Sequence, residues 1–111
     1  MSQENLIWHK ACKTHEIEED DVIQVNINGK GYAIYNLKDQ GYFATDGLCT
    51  HEQSPLAEGL VMDGIIECPK HNARFDIKTG KVLSRPAHSD LNTYPIKIED
   101  SVVLIGITPE P

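Results

Sequence analysis

The sequence predicts an all-β domain, a sandwich or barrel of roughly eight or nine short strands. Three observations carry this expectation. No long window keeps a helical period. Apolar and polar residues alternate instead, and turn signals recur roughly every 8–12 residues. At 111 residues, 40% apolar and 24% charged, the chain suits one folded domain, or two small sub-domains sharing a core.

The first strand carries Trp8, Ala11 and Cys12. Glu16–Asp21, acidic at five of six positions, reads as a solvated turn. Ile23, Val25 and Ile27 then face one way and Gln24 and Asn26 the other. Asn28-Gly29 is a hairpin signal, because a type I′ turn needs positive φ at both central residues. Tyr32, Ile34 and Leu37 resume the alternation. Lys38–Gly41, Thr79-Gly80 and Glu99-Asp100 are further turns. A second hairpin signal, Asp63-Gly64, lies between Leu60–Met62 and Ile65–Cys68. The tail predicts two strands, Leu91–Ile98 and Val102–Ile107. Residues 45–60 read as irregular, with Pro55 and Gly59 enclosing one helical turn, and a loop of that length in so small a domain points to function. Trp8, Tyr32, Tyr35, Tyr42 and Phe43 read as core and sheet-edge packing.

Composition narrows the function. Seventeen acidic against ten basic residues give a net charge of −7, and the excess is shared along the chain. With no basic stripe to follow a phosphate backbone, nucleic-acid binding is not expected. The acidic surface suits steering towards a basic partner. No apolar stretch is long enough for a membrane span, and residues 1–10 lack the pattern of a secretory signal, so a cytoplasmic protein is expected. Cys12, Cys49 and Cys68 cannot all pair within the chain and read as ligands or buried thiols.

Two short segments carry the chemistry, Cys49-Thr50-His51 and Cys68-Pro69-Lys70-His71. Sixteen residues separate His51 from Cys68, and the Asp63-Gly64 hairpin between them would turn the chain back and set the two loops side by side. Three chemistries compete for these residues. The cysteines could be buried apolar thiols beside incidental histidines. A Cys₂His₂ zinc site would use the same four groups, although zinc modules favour C-x₂₋₄-C or H-x₃₋₅-H, with like ligands together. A [2Fe–2S] cluster with two cysteines on one iron and two histidines on the other suits one cysteine and one histidine per loop.

C-x-H, sixteen residues and C-x₂-H resembles the Rieske signature. The resemblance extends over Phe43–Cys49, Gly59–Gly64, Cys68–Asp76, Thr79-Gly80, Arg85-Pro86-Ala87 and Tyr94–Val103, so that nearly the whole chain is similar to small Rieske ferredoxins. It implies an antiparallel β base, residues 1–44 and 80–111, with a small cluster-binding sub-domain inserted at 45–79. It also implies Cys49, His51, Cys68 and His71 as ligands of one [2Fe–2S] cluster, covered by a proline loop at Arg85-Pro86-Ala87. Where respiratory and photosynthetic members form a disulfide, this chain has Ser54 and Lys70. Where high-potential members place serine and tyrosine hydroxyls against the sulfurs, it has Ala73 and Phe75. A reduction potential low in the Rieske range of roughly −150 to +300 mV is expected. Phe75 is expected to help keep water from the cluster.

The resemblance further implies a one-electron carrier rather than a catalyst. It would take electrons from a flavin-containing NAD(P)H ferredoxin reductase and deliver them to a terminal oxygenase, of the aromatic-ring or a related hydroxylating type. A catalytic mononuclear iron would need two histidines and a carboxylate, and the spare histidines, His9, His15 and His88, are scattered. No glycine-rich nucleotide fingerprint is present. The expected contact patch is His51, Glu52, Gln53, Lys70, His71, Asn72 and Pro86, on a monomer. A small structural or electron-transfer subunit of another reductase keeps the same fold and is the alternative.

Overall fold

The computed structural model describes residues 5–50, 54–69, 73–84 and 89–109. Eleven strands follow one another: β1 (Ile7–Lys13), β2 (Asp21–Ile27), β3 (Lys30–Leu37), β4 (Gly41–Asp46), β5 (Leu60–Met62), β6 (Ile65–Glu67), β7 (Arg74–Asp76), β8 (Val82–Ser84), β9 (Thr93–Tyr94), β10 (Ile96–Glu99) and β11 (Val102–Ile107). They form three antiparallel sheets, ordered β1-β11-β10, β2-β3-β4-β9 and β5-β6-β7-β8. The all-β reading holds.

The strands are more numerous than expected partly because Pro95 splits the segment read as one strand. Thr93–Tyr94 pair with β4 and Ile96–Glu99 pair with β11, so the chain changes sheets at the proline, which has no N–H for a ladder.

The turns follow the residues that permit them. Asn28 and Gly29 both have positive φ, 53° and 85°, as a type I′ hairpin requires. Asp63-Gly64 closes β5–β6 in the same way. The β10–β11 turn is centred on Asp100-Ser101 rather than Glu99-Asp100, both residues having positive φ. The expected helical turn is a 3₁₀ turn at Leu56–Glu58, flanked by Pro55 and Gly59.

The sheet β2-β3-β4-β9 has a core on each side. Tyr32, Ile34 and Ala44 face Val103 and Ile105 of β11, with Ile23, Val25 and Ile27 packed alongside. Ala33, Tyr35 and Leu37 face the β5–β8 layer, joining Leu56, Ile66, Phe75, Ile77 and both Cys49 and Cys68. Leu37 is thus on the opposite face from Tyr32 and Ile34, against the sequence expectation. The odd spacing from Ile34 to Leu37 puts the two on opposite faces of a regular strand, and both faces of β3 are covered, so both sets are apolar. Ile17, inside the acidic run, is 2% exposed and joins the first of these cores, while Glu16, Glu18, Glu19 and Asp20 stay in solvent as expected.

Candidate metal centre

The first motif grows out of β4. Immediately beyond Asp46, Gly47 runs against the start of β3, and its N–H donates to the Gly31 carbonyl at 3.1 Å. A Cβ at Gly47 would lie 2.8 Å from the Gly31 carbonyl carbon, so only glycine permits this approach. Leu48 forms a bridge with Pro55, the Cys49 N–H donates to the Ser54 carbonyl at 2.8 Å, and the Leu56 N–H donates to the Gly47 carbonyl at 2.9 Å. These bonds close the chain between Cys49 and Ser54 into a loop.

The second motif is built alike. β6 and β7 run side by side up to the Glu67–Arg74 pair, and the Cys68 N–H donates to the Ala73 carbonyl at 2.7 Å. The Arg74 Nε donates to Glu67 Oε1 at 3.1 Å, bracing the mouth of the loop. In both motifs the cysteine amide reaches the residue five positions ahead, with four residues between.

Cys49 and Cys68 are 0% and 1% exposed and belong to one core, with Leu56, Ala73 and Phe75 around them. Neither is in a disulfide, nor is Cys12. Ser54, at a position where a stapling cysteine would stand, is itself buried. Two deprotonatable sulfurs that share a dry core without forming a disulfide fit a thiolate-bound metal group. His51 and His71, with Glu52, Gln53, Lys70, Asn72 and the Arg85-Pro86-Ala87 stretch, lie outside the described residues, as does His88. Among the described residues no three histidine, cysteine or acidic side chains converge as a metal site. His9 is half-buried in β1, and His15 is exposed in the 3₁₀ turn Thr14–Glu16.

Sequence reasoning did not single out Asp46, Lys30 and Tyr94. The Tyr94 hydroxyl donates to Asp46 Oδ1 at 2.5 Å, the Lys30 ammonium lies 3.3 Å from the same oxygen, and the Asn92 N–H donates to Oδ2 at 3.1 Å. Their separations along the chain left no local signal. A groove of about 440 Å³ runs from Lys30 and Asp46 past Gly47 and Leu48 to Cys49, Thr50 and Ser89.

The Rieske [2Fe–2S] domain model matches residues 7–95. The chain belongs to this family. One Rieske-type [2Fe–2S] cluster is therefore its cofactor. Among its relatives, the ferredoxin component of naphthalene 1,2-dioxygenase/salicylate 5-hydroxylase systems of Ralstonia sp is 43% identical, over 88% of this chain and 93% of that one. The ferredoxin component of a naphthalene 1,2-dioxygenase system of Pseudomonas aeruginosa is 41% identical, over 91% and 96%. Among Rieske structures, the Sphingomonas yanoikuyae B1 ferredoxin superposes with a TM-score of 0.84 at 34% identity, over 95% of this chain and all of that one. A chain from the complex of reduced oxygenase and oxidized ferredoxin in carbazole 1,9a-dioxygenase gives 0.83 at 31% identity, over 89% and 92%. Dicamba monooxygenase, at 23% identity and a TM-score of 0.80, shares the fold over 35% of its own length.

Proposed function

We propose that the protein is the ferredoxin component of a ring-hydroxylating dioxygenase system, a one-electron carrier that is not itself a catalyst. It serves between a flavin-containing NAD(P)H ferredoxin reductase and a terminal oxygenase. The observation that carries this reading is the pair of buried cysteines, not joined by a disulfide, each opening a closed loop whose sequence contains one histidine. The relatives support it, being ferredoxin components of dioxygenase systems.

Cys49 and Cys68 would bind from the core side, and His51 and His71, one in each loop by sequence, would complete the ligand set. When bound, a Rieske cluster takes up and releases a single electron. The chain's own residues supply the rest. Leu56, Ile66 and Phe75 keep water from the thiolate side, and the paired backbone bonds hold the two cysteines in place without a disulfide. Residues 45–79 act as the ligand-bearing sub-domain on a base of 1–44 and 80–111, while β8 continues the ligand-bearing sheet as far as Ser84. Partners meet the patch of His51, Glu52, Gln53, Lys70, His71, Asn72 and Pro86 in turn, which suits a monomer. Such redox encounters bury little surface and dissociate quickly.

Stopped-flow absorption tests the reading. Mixing the oxidised protein with NADH and a purified dioxygenase-system reductase should bleach it by one electron, and later mixing with the matching oxygenase should restore the colour. A protein that the reductase cannot bleach, or that stays reduced with every oxygenase tried, contradicts it.

A further inference from the structure

We propose that Asp46 is a positioning residue of the metal centre, its carboxylate locking the first ligand loop to residues 92–94 so that Cys49 is held in register with the segment that follows the proline loop. The inference rests on the reading of Cys49 as a ligand.

Asp46 is the last residue of β4, three before Cys49. Three donors from two chain segments converge on its carboxylate: the Lys30 ammonium from one, and the Tyr94 hydroxyl and the Asn92 amide from the other. Its own N–H returns a bond to the Asn92 carbonyl at 3.0 Å. Lys30 also donates to the Tyr94 hydroxyl at 3.1 Å and lies over the rings of Tyr32 and Tyr94, which meet edge to face. The Tyr94 hydroxyl is pushed up to about 12, by burial first and by its bond to Asp46 next. Hydrogen bonding to Tyr94 leads the causes that raise the Lys30 ammonium to about 12. Both groups donate to the Asp46 side chain.

A second tether parallels the first. The Thr50 hydroxyl donates to the Ser89 carbonyl at 2.8 Å, so that the first loop is tied at its root and beyond Cys49 to one continuous segment, residues 89–94. The second loop has its own brace in Glu67–Arg74. A ligand loop that could drift from residues 89–94 would move its thiolate relative to the other three ligands. Outer groups that fix ligand geometry typically change metal retention by roughly 10–100-fold when removed.

The test compares Asp46→Ala, Asp46→Asn and Tyr94→Phe with Tyr42→Phe. The last removes a tyrosine hydrogen bond to the Thr14 carbonyl, in the part of the base where β1 leads towards the acidic turn. Three quantities are read on the cluster-loaded protein at 25 °C: iron release to a chelator, the EPR line width after reduction, and hydrogen exchange in a peptide spanning residues 44–50. Asp46→Ala should release iron roughly tenfold faster or more, broaden the EPR lines and raise exchange in that peptide. Asp46→Asn and Tyr94→Phe should fall between it and the parent, and they decide the matter if the alanine variant does not fold. Tyr42→Phe should stay within about twofold of the parent even where its thermal stability falls equally. Asp46 variants indistinguishable from the parent, or a Tyr42→Phe effect of equal size, would overturn the proposal. A parent protein that binds no [2Fe–2S] cluster would overturn the ligand reading first, and this proposal with it.

Discussion

Ala73 accepts the Cys68 amide across the second loop, and Phe75 is wholly buried in the core the two thiols share. Neither side chain can donate to a sulfur, which leaves the extra electron less stabilised. Ala73→Ser adds one donor, and its expected effect is a midpoint higher by about 1 kcal/mol, or roughly 40 mV for one electron. Potentiometric titration of the two proteins checks this, and an unchanged or lower midpoint counts against the assignment. Cys12 makes a contrast as a thiol outside the site. Burial first, and the nearby Glu16 charge next, push it up to about 11. Its alkylation by iodoacetamide should be slow at neutral pH and accelerate up to about pH 11. The raised value also has a sign for stability. Below pH 9 the neutral thiol costs nothing in either state. Between 9 and 11 the unfolded thiol ionises first, so the folded state loses stability across that window. Cys12→Ala should remove this part of the alkaline loss in denaturant titrations, and an identical pH profile in the two proteins would contradict it.

Gly47 is decisive at the scale of elements, because the first ligand loop can leave β4 only by passing against the Gly31 backbone. Gly47→Ala should break that approach and cost about 1–3 kcal/mol, read as a lower urea midpoint and a weaker hold on iron. A midpoint equal to the parent's would mean that the loop has room to move aside. Much of this architecture is legible in sequence. Asn28-Gly29 and Asp63-Gly64 announce their hairpins because few other pairs tolerate positive φ twice. Cys49-Thr50-His51 and Cys68-Pro69-Lys70-His71 suggest the proposed site because so tight a pairing of thiol and imidazole has few uses. Other features are silent for physical reasons. Ser101 adopts positive φ without glycine to mark the turn. Ile17 is buried despite acidic neighbours because Tyr32, Ile34 and Val103 are there to receive it. The Asp46 network joins residues remote in sequence, and no local pattern encodes it.

Across the whole molecule, the net charge of −7 shapes encounters more than it shapes the fold. A basic patch on the reductase or oxygenase would draw the protein in, and salt would screen the attraction over about 10 Å at 0.1 M ionic strength. The second-order rate of electron transfer with at least one partner should therefore fall several-fold between low and moderate salt. A rate independent of salt with both partners would show that charge does not guide docking. No helix among the described residues is long and apolar enough to cross a membrane.

Everything proposed for the site depends on Cys49, His51, Cys68 and His71 together holding one [2Fe–2S] cluster. Electron–nuclear double resonance of the dithionite-reduced protein, grown with ¹⁵N-histidine, tests it most directly. A rhombic EPR signal coupled to two histidine nitrogens is expected, with one coupling lost in His51→Cys and the other in His71→Cys. A cluster signal without nitrogen coupling, or a colourless protein that holds stoichiometric zinc even after anaerobic iron–sulfur reconstitution, would contradict it.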